Sequence, residues 1–144
     1  MITPKNGLPD WAVVVIVLGP PNGGKTILVS DPFKPDPVYR KFPGGKKNGE
    51  ETVLQTATRE LREETGIKVA KTNLKLIDEV DKSWHIKPHT VFVFKVSADN
   101  FNGLLKFGNE KKSTTLSVEL REISTIQEMK DFFPPHKKYL DMLI

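Results

Sequence analysis

The sequence predicts an α/β fold, a sheet with helices packed on both of its faces. Three stretches carry this reading. Trp11–Leu18 (WAVVVIVL) and His89–Ser97 (HTVFVFKVS) are apolar on both faces, as strands covered from both sides must be. Val53–Thr65, in mid-chain, repeats its apolar residues at helical spacing. Pro134–Leu143 reads as a closing helix with proline in its first turn. With 144 residues and neither repeat nor linker, residues 1–144 are expected to form one domain.

In chain order, Trp11–Leu18 is the first strand. It is too short to span a membrane. It also lacks the basic flank of a signal peptide, since Asp10 precedes it, so the cytoplasm is the expected location. Thr26–Ser30 is a second strand, and Gly19–Lys25 supplies the turn residues between the two. Asp31–Pro37 is a proline-rich loop. Val38–Phe42 should be a short strand that delivers the chain into a glycine-rich loop, Gly44–Gly49. After the mid-chain helix come a strand over Leu74–Val80, a loop over Lys82–Pro88 and the central strand His89–Ser97. Ala98–Thr115 is polar and reads as a hairpin or mobile loop, and Leu116–Ile123 as a weak strand. Ser124–Phe133 should begin as a helix capped by Ser124. Tyr139, Leu140 and Leu143 should form the buried face of the last one.

Composition narrows the chemistry. A net charge of +4 is mild, and the excess lies early, with seven Lys/Arg against four acids in residues 1–50. That suits an anionic small molecule and is too weak to argue for nucleic acid. With no cysteine there can be neither a disulfide nor a thiolate metal site.

The chemistry concentrates in Gly44–Ile67, GGKKNGEETVLQTATRELREETGI. Thr52 stands at the N-cap, Gln55 completes a capping box, and Gly66 ends the helix. At 100° per residue, Glu60, Glu63 and Glu64 share one stripe beside the apolar Val53, Ala57 and Leu61. Like charges so placed repel, and a divalent cation resolves the conflict. Hard ions such as Mg²⁺ take carboxylate and carbonyl oxygens, and glycines just upstream let a backbone carbonyl approach one.

The spacing Gly45, Glu51, Arg59-Glu60-Leu61, Glu63-Glu64, Gly66-Ile67 matches the Nudix box, G-x5-E-x7-R-E-U-x-E-E-x-G-U, at every defined position. The chain thus resembles the Nudix hydrolases. The resemblance implies a mixed-sheet α/β/α sandwich and a Mg²⁺- or Mn²⁺-dependent pyrophosphohydrolase acting on a nucleoside diphosphate linked to another group. The metal would be held by Gly45, Glu60, Glu63 and Glu64, and Glu51 and Arg59 would form a structural salt bridge. One of Glu60, Glu63 or Glu110 would take the proton from water. Glu110, in Phe107-Gly-Asn-Glu110, is similar to a late-loop carboxylate of MutT-like members. Phe133-Pro134-Pro135 resembles the start of their final helix, although His136 or Lys137 stands where MutT has an asparagine against the purine. Lys46 and Arg40 are candidate contacts to the anionic substrate, and Trp84 is a candidate stacking surface for a nucleobase. The expected substrate is a (d)NTP, ahead of dinucleoside polyphosphates or ADP-ribose.

Two rivals come from other classes. Gly19–Thr26 satisfies the Walker A spacing, which would suggest a P-loop ATPase. A P-loop must open a helix, however, and Ile27-Leu28-Val29 favours a strand, with Pro32, Pro35 and Pro37 close behind. A non-catalytic binding module of the same fold would be expected to have lost box carboxylates, and this chain keeps them all.

Overall fold

The computed structural model describes residues 1–31, 37–105 and 116–143. Its centre is a four-stranded mixed sheet in the order β3-β1-β5-β4. Strands β1 (Trp11–Leu18) and β5 (His89–Ser97) lie parallel in the middle, with Trp11 opposite Thr90 and Leu18 opposite Ser97. Strand β4 (Lys75–Lys82) runs antiparallel to β5, with an irregularity between Leu76 and Asp78. Strand β3 (Gly44–Lys46) lies antiparallel to β1. The expected glycine loop therefore begins as a sheet edge. Gly44 can lie there because a Cβ at this position would stand 2.0 Å from the Val13 carbonyl oxygen. A second, two-stranded antiparallel sheet pairs β2 (Lys25–Ser30) with β6 (Ser117–Glu122).

Two apolar layers sandwich the central sheet. On one face, Val13, Val15, Val17, Phe92 and Phe94 pack against Val53, Ala57 and Leu61 of helix α1 (Val53–Thr65). On the other, Val14, Ile16 and Val93 pack against Phe42, Ile126, Phe132, Tyr139 and Leu140. Full burial of each large aliphatic side chain contributes roughly 1.5–3 kcal/mol, so the alternation along β1 fixes which residues face which layer.

The second layer departs from expectation. Ser124–Phe133 is not a helix: after a single 3-10 turn at Ile123–Thr125 the chain proceeds in turns. Its backbone has tertiary partners instead, because the Arg40 amide donates to the Asp131 carbonyl at 2.8 Å and the Phe133 amide donates to the Arg40 carbonyl at 2.8 Å. Val38–Phe42 likewise forms isolated bridges rather than a strand, Arg40 with Phe132 and Lys41 with Val29. The last helix is a 3-10 turn, Pro134–His136, followed by one short α-helical stretch, α2 (Lys137–Leu140).

Gly19 and Lys25 bond to each other through their backbones, and the chain from Lys25 onward is strand. The Walker-like segment thus joins two strands and opens no helix. No helix among the described residues is long and apolar enough to cross a membrane.

Candidate active site

The site grows from the start of α1. Thr52 Oγ1 accepts the Gln55 amide at 3.2 Å, and Gln55 Oε1 accepts the Thr52 amide at 2.9 Å. Gly66, at φ 82°, closes the helix. With Val53, Ala57 and Leu61 turned into the core, Glu60 and Glu64 are carried to the seam between helix and sheet, each only 4% exposed.

There they meet β3. Glu64 Oε1 accepts the Gly44 amide at 2.6 Å. Gly45 faces Glu60 so closely that a Cβ on it would sit 2.3 Å from the carboxylate carbon. Only glycine leaves that space open. Glu60 and Glu63 converge on one atom, Arg59 Nη1, which donates to Glu60 Oε1 at 2.9 Å and to Glu63 Oε2 at 3.1 Å.

Arg59 also clamps the loop. Its Nε donates to Glu51 Oε2 at 2.6 Å, and its Nη2 donates to Glu51 Oε1 and to the Lys46 carbonyl, both at 2.9 Å. The Glu51 hydrogen bond leads the forces that hold the Arg59 pKa above its ordinary value, against the opposing effect of burial. Burial pushes the Glu51 carboxyl up, but the bonds from Arg59 and the Asn48 amide outweigh it and leave the pKa below the usual carboxylate value. The expected Glu51–Arg59 pair is present.

The donor set fits a hard divalent cation in its chemistry: three carboxylates beside the uncrowded backbone of Gly45, with no sulfur or imidazole. In the geometry observed, Arg59 and the Gly44 amide engage these carboxylates. Among the described residues no three acidic or histidine side chains are already arranged around a common metal position. A cation would have to displace Arg59 Nη1 from Glu60 and Glu63.

The other predicted residues are scattered. Lys46 adjoins the cluster, with an exposed side chain. Arg40 does not join it: its guanidinium is held by Glu119 at 3.0 Å and Asp131 at 2.9 Å, where it ties β6 to the C-terminal segment. Trp84 is 73% exposed in the turn after β4, with Lys82 Nζ 4.9 Å from its ring. Glu110 lies outside the described residues.

Towards the β4 edge of the sheet the structure holds a groove of about 470 Å³, lined by β4, β5, the turn between them and the 133–139 segment. Its size is within the usual range for small-molecule sites. His136 belongs to its lining and is buried, and its Nδ1 accepts the Phe42 amide at 3.2 Å. Burial, with the charge of Lys41 nearby, lowers its pKa to about 3. Tyr139 is raised to about 12, by burial and then by Asp78. The resemblance puts His136 or Lys137 where MutT has an asparagine against the purine, next to Phe133-Pro134-Pro135, whereas Tyr139 reads in sequence only as part of a buried helix face.

The NUDIX domain family model matches residues 8–143. The fold is similar to a mutator MutT from Bacillus halodurans (22% identity, TM-score 0.69, covering 92% of this chain and 80% of that one). It is also similar to a MutT Nudix hydrolase from Burkholderia pseudomallei (16%, TM-score 0.71, 95% and 99%). A third similar structure is the Nudix domain of Shewanella oneidensis NrtR complexed with ADP ribose (16%, TM-score 0.71, 92% and 84%). A comparison with curated proteins found no match. Members of this family generally use divalent metal ions. With a complete box on α1, a mixed-sheet sandwich and a family match over nearly its whole length, this chain belongs to the Nudix hydrolases.

Proposed function

We propose that this chain is a cytoplasmic pyrophosphohydrolase that uses Mg²⁺ or Mn²⁺ to cleave (d)NTPs into the monophosphate and pyrophosphate. One observation carries the reading. The oxygen-rich cluster and the ring-lined groove share a single backbone segment, with Gly44 bonded to Glu64 and Phe42 bonded to His136. The short segment Phe42–Gly44 thus joins the carboxylate cluster, for charge, to a wall of the groove, for a ring.

Glu60, Glu63, Glu64 and the Gly45 carbonyl would hold the cation, which when bound neutralises phosphate charge and acidifies a water. The chain's own groups do the rest. One of Glu60, Glu63 or Glu110 accepts the proton as the water oxygen bonds to phosphorus. The anhydride P–O bond breaks, and its electron pair leaves with the pyrophosphate. Lys46, a compact charge beside the cluster, balances the developing negative oxygens. The Gly44 amide positions Glu64, and Arg59, through Glu51 and the Lys46 carbonyl, holds the loop against the helix. Trp84, exposed in the turn after β4, offers a stacking face worth roughly 1–3 kcal/mol. Arg40 supports the segment rather than the phosphates.

The ADP ribose held by the Shewanella domain favours a second reading, cleavage of ADP-ribose or a dinucleoside polyphosphate at the same cluster. Neither nucleic acid nor membrane enters either reading. Rates on triphosphates, ADP-ribose and diadenosine polyphosphate, with products identified, separate the two.

A further inference from the structure

Thr56 lies on the inner face of α1 and is fully buried. The buried hydroxyls of Thr26 and Thr90 have no hydrogen-bond partner among the described residues, whereas that of Thr56 meets three groups. Trp11 Nε1 donates to it at 3.2 Å from the start of β1. Its own hydrogen is within reach of the Thr52 carbonyl at 3.0 Å and of Glu51 Oε1 at 3.2 Å. The Thr52 bond is the ordinary back-bond of a helical threonine. The Glu51 bond is not, for it brings a neutral donor to the acid that clamps Arg59. Trp11 is itself fixed. Its ring meets Phe92 edge-on at 6.5 Å, Lys47 Nζ lies 4.4 Å from the ring centre, and its carbonyl accepts the Lys47 amide at 2.9 Å.

Glu51 is the group that needs such support. It holds Arg59 through Nε and Nη2, while Arg59 Nη1 holds Glu60 and Glu63. A cation that takes Glu60 and Glu63 leaves the guanidinium only its ties to Glu51 and the Lys46 carbonyl. The more firmly Glu51 is fixed, the less the guanidinium competes for the other two carboxylates. We propose that Thr56 is a positioning residue for the cluster: held by Trp11, its hydroxyl fixes Glu51, so that Arg59 yields Glu60 and Glu63 to the cation while staying in place. The inference rests on the metal-dependent reading above.

Thr56→Val keeps the side chain's shape and removes the hydroxyl. Trp11→Phe keeps an aromatic ring and removes the N–H, and it carries the test alone if Thr56→Val does not fold. Each should weaken Mn²⁺ binding to the nucleotide-free protein, read from the EPR signal of the free ion, by about 5-fold, the weight of one ordinary hydrogen bond. The Mg²⁺ concentration for half-maximal hydrolysis should rise in step, with KM for the nucleotide little moved. Thr56→Ser, which keeps the hydroxyl, should return both towards the wild type. Because the two residues act in series, the double variant should bind Mn²⁺ no more weakly than either single one. A merely structural role predicts a lower unfolding temperature with unchanged Mn²⁺ affinity, and that result would overturn the assignment. So would Thr56→Ser as weak as Thr56→Val. If the wild type binds Mn²⁺ neither alone nor with nucleotide, the metal-dependent reading falls and the inference with it. If Mn²⁺ binds with the expected differences while no triphosphate is cut, the triphosphate reading fails and the inference stands.

Discussion

The contacts that tie the box's own charged residues together are short in sequence. Arg59 reaches Glu60 one residue on, Glu63 four on, Glu51 eight back and Lys46 thirteen back, and Glu64 reaches Gly44 twenty back. The groove is held together at long range, for Phe42 and His136 lie 94 residues apart and Arg40 and Asp131 lie 91 apart. The contrast separates two kinds of site. Helical period, caps and glycines assemble the first almost by themselves, whereas the second exists only once the sheet has brought the two ends of the chain together.

The comparison breaks most visibly at the box. Glu64→Gln keeps the side chain's size and an oxygen for the Gly44 amide while removing the charge. Turnover should fall by at least about 100-fold, as expected for loss of a metal ligand, with thermal unfolding little changed. Near-normal Mg²⁺-dependent hydrolysis by the folded variant would sink the proposed mechanism.

Gly44→Ala tests the junction between the two regions. The new Cβ would meet backbone, the Val13 carbonyl oxygen at 2.0 Å and Val14 Cα at 3.1 Å. Overpacking of this kind costs typically about 1–3 kcal/mol, and urea unfolding should show it.

The long-range region has a pH signature. Folding pulls the His136 pKa from 6.5 down to about 3. The unfolded chain therefore binds a proton below about 6.5 that the native protein refuses, and stability should fall as pH drops through that window. One such group gives a slope of at most about 1.36 kcal/mol per pH unit. Unfolding measured between pH 6.5 and 5, above the range of most carboxylates, should show this slope in the wild type and lose much of it in His136→Asn. An unchanged slope would place the proton elsewhere.

The smallest expected effect is on the Walker-like turn. Lys25→Ala should leave turnover and nucleotide affinity essentially unchanged, because the segment only joins β1 to β2. Loss of nucleotide binding in this variant, with binding retained in Glu64→Gln, would revive the P-loop alternative.

How much was legible in the sequence follows the same division. Helix α1 runs over Val53–Thr65 as its periodicity and its Thr52–Gln55 box require, because each determinant is within a turn or two of the next. His89–Ser97 is central because both of its faces are apolar. The Glu51–Arg59 pair came from the family spacing, and the structure supplies its bonds. Ser124–Phe133 was misread because Ile126 and Met129 do bury, at a spacing a helix would also give, while Arg40 claims the backbone groups of Asp131 and Phe133. No local pattern announces that competition. Arg40 itself resembles a phosphate contact in sequence, since Glu119 and Asp131 are too far along the chain to be recognised as its partners. His136 is legible only as one of two candidates beside Phe133-Pro134-Pro135, because only the fold sets Phe42 against it.

The central claim is that the box cluster and the groove serve one nucleotide, cut between its α- and β-phosphates. The most direct test is ³¹P NMR of a nucleoside triphosphate incubated with the protein and Mg²⁺. The account predicts the monophosphate and pyrophosphate as the only products, and Glu64→Gln should abolish both together. Formation of the diphosphate and inorganic phosphate would contradict it. So would an intact triphosphate under conditions where ADP-ribose or diadenosine polyphosphate is cut rapidly.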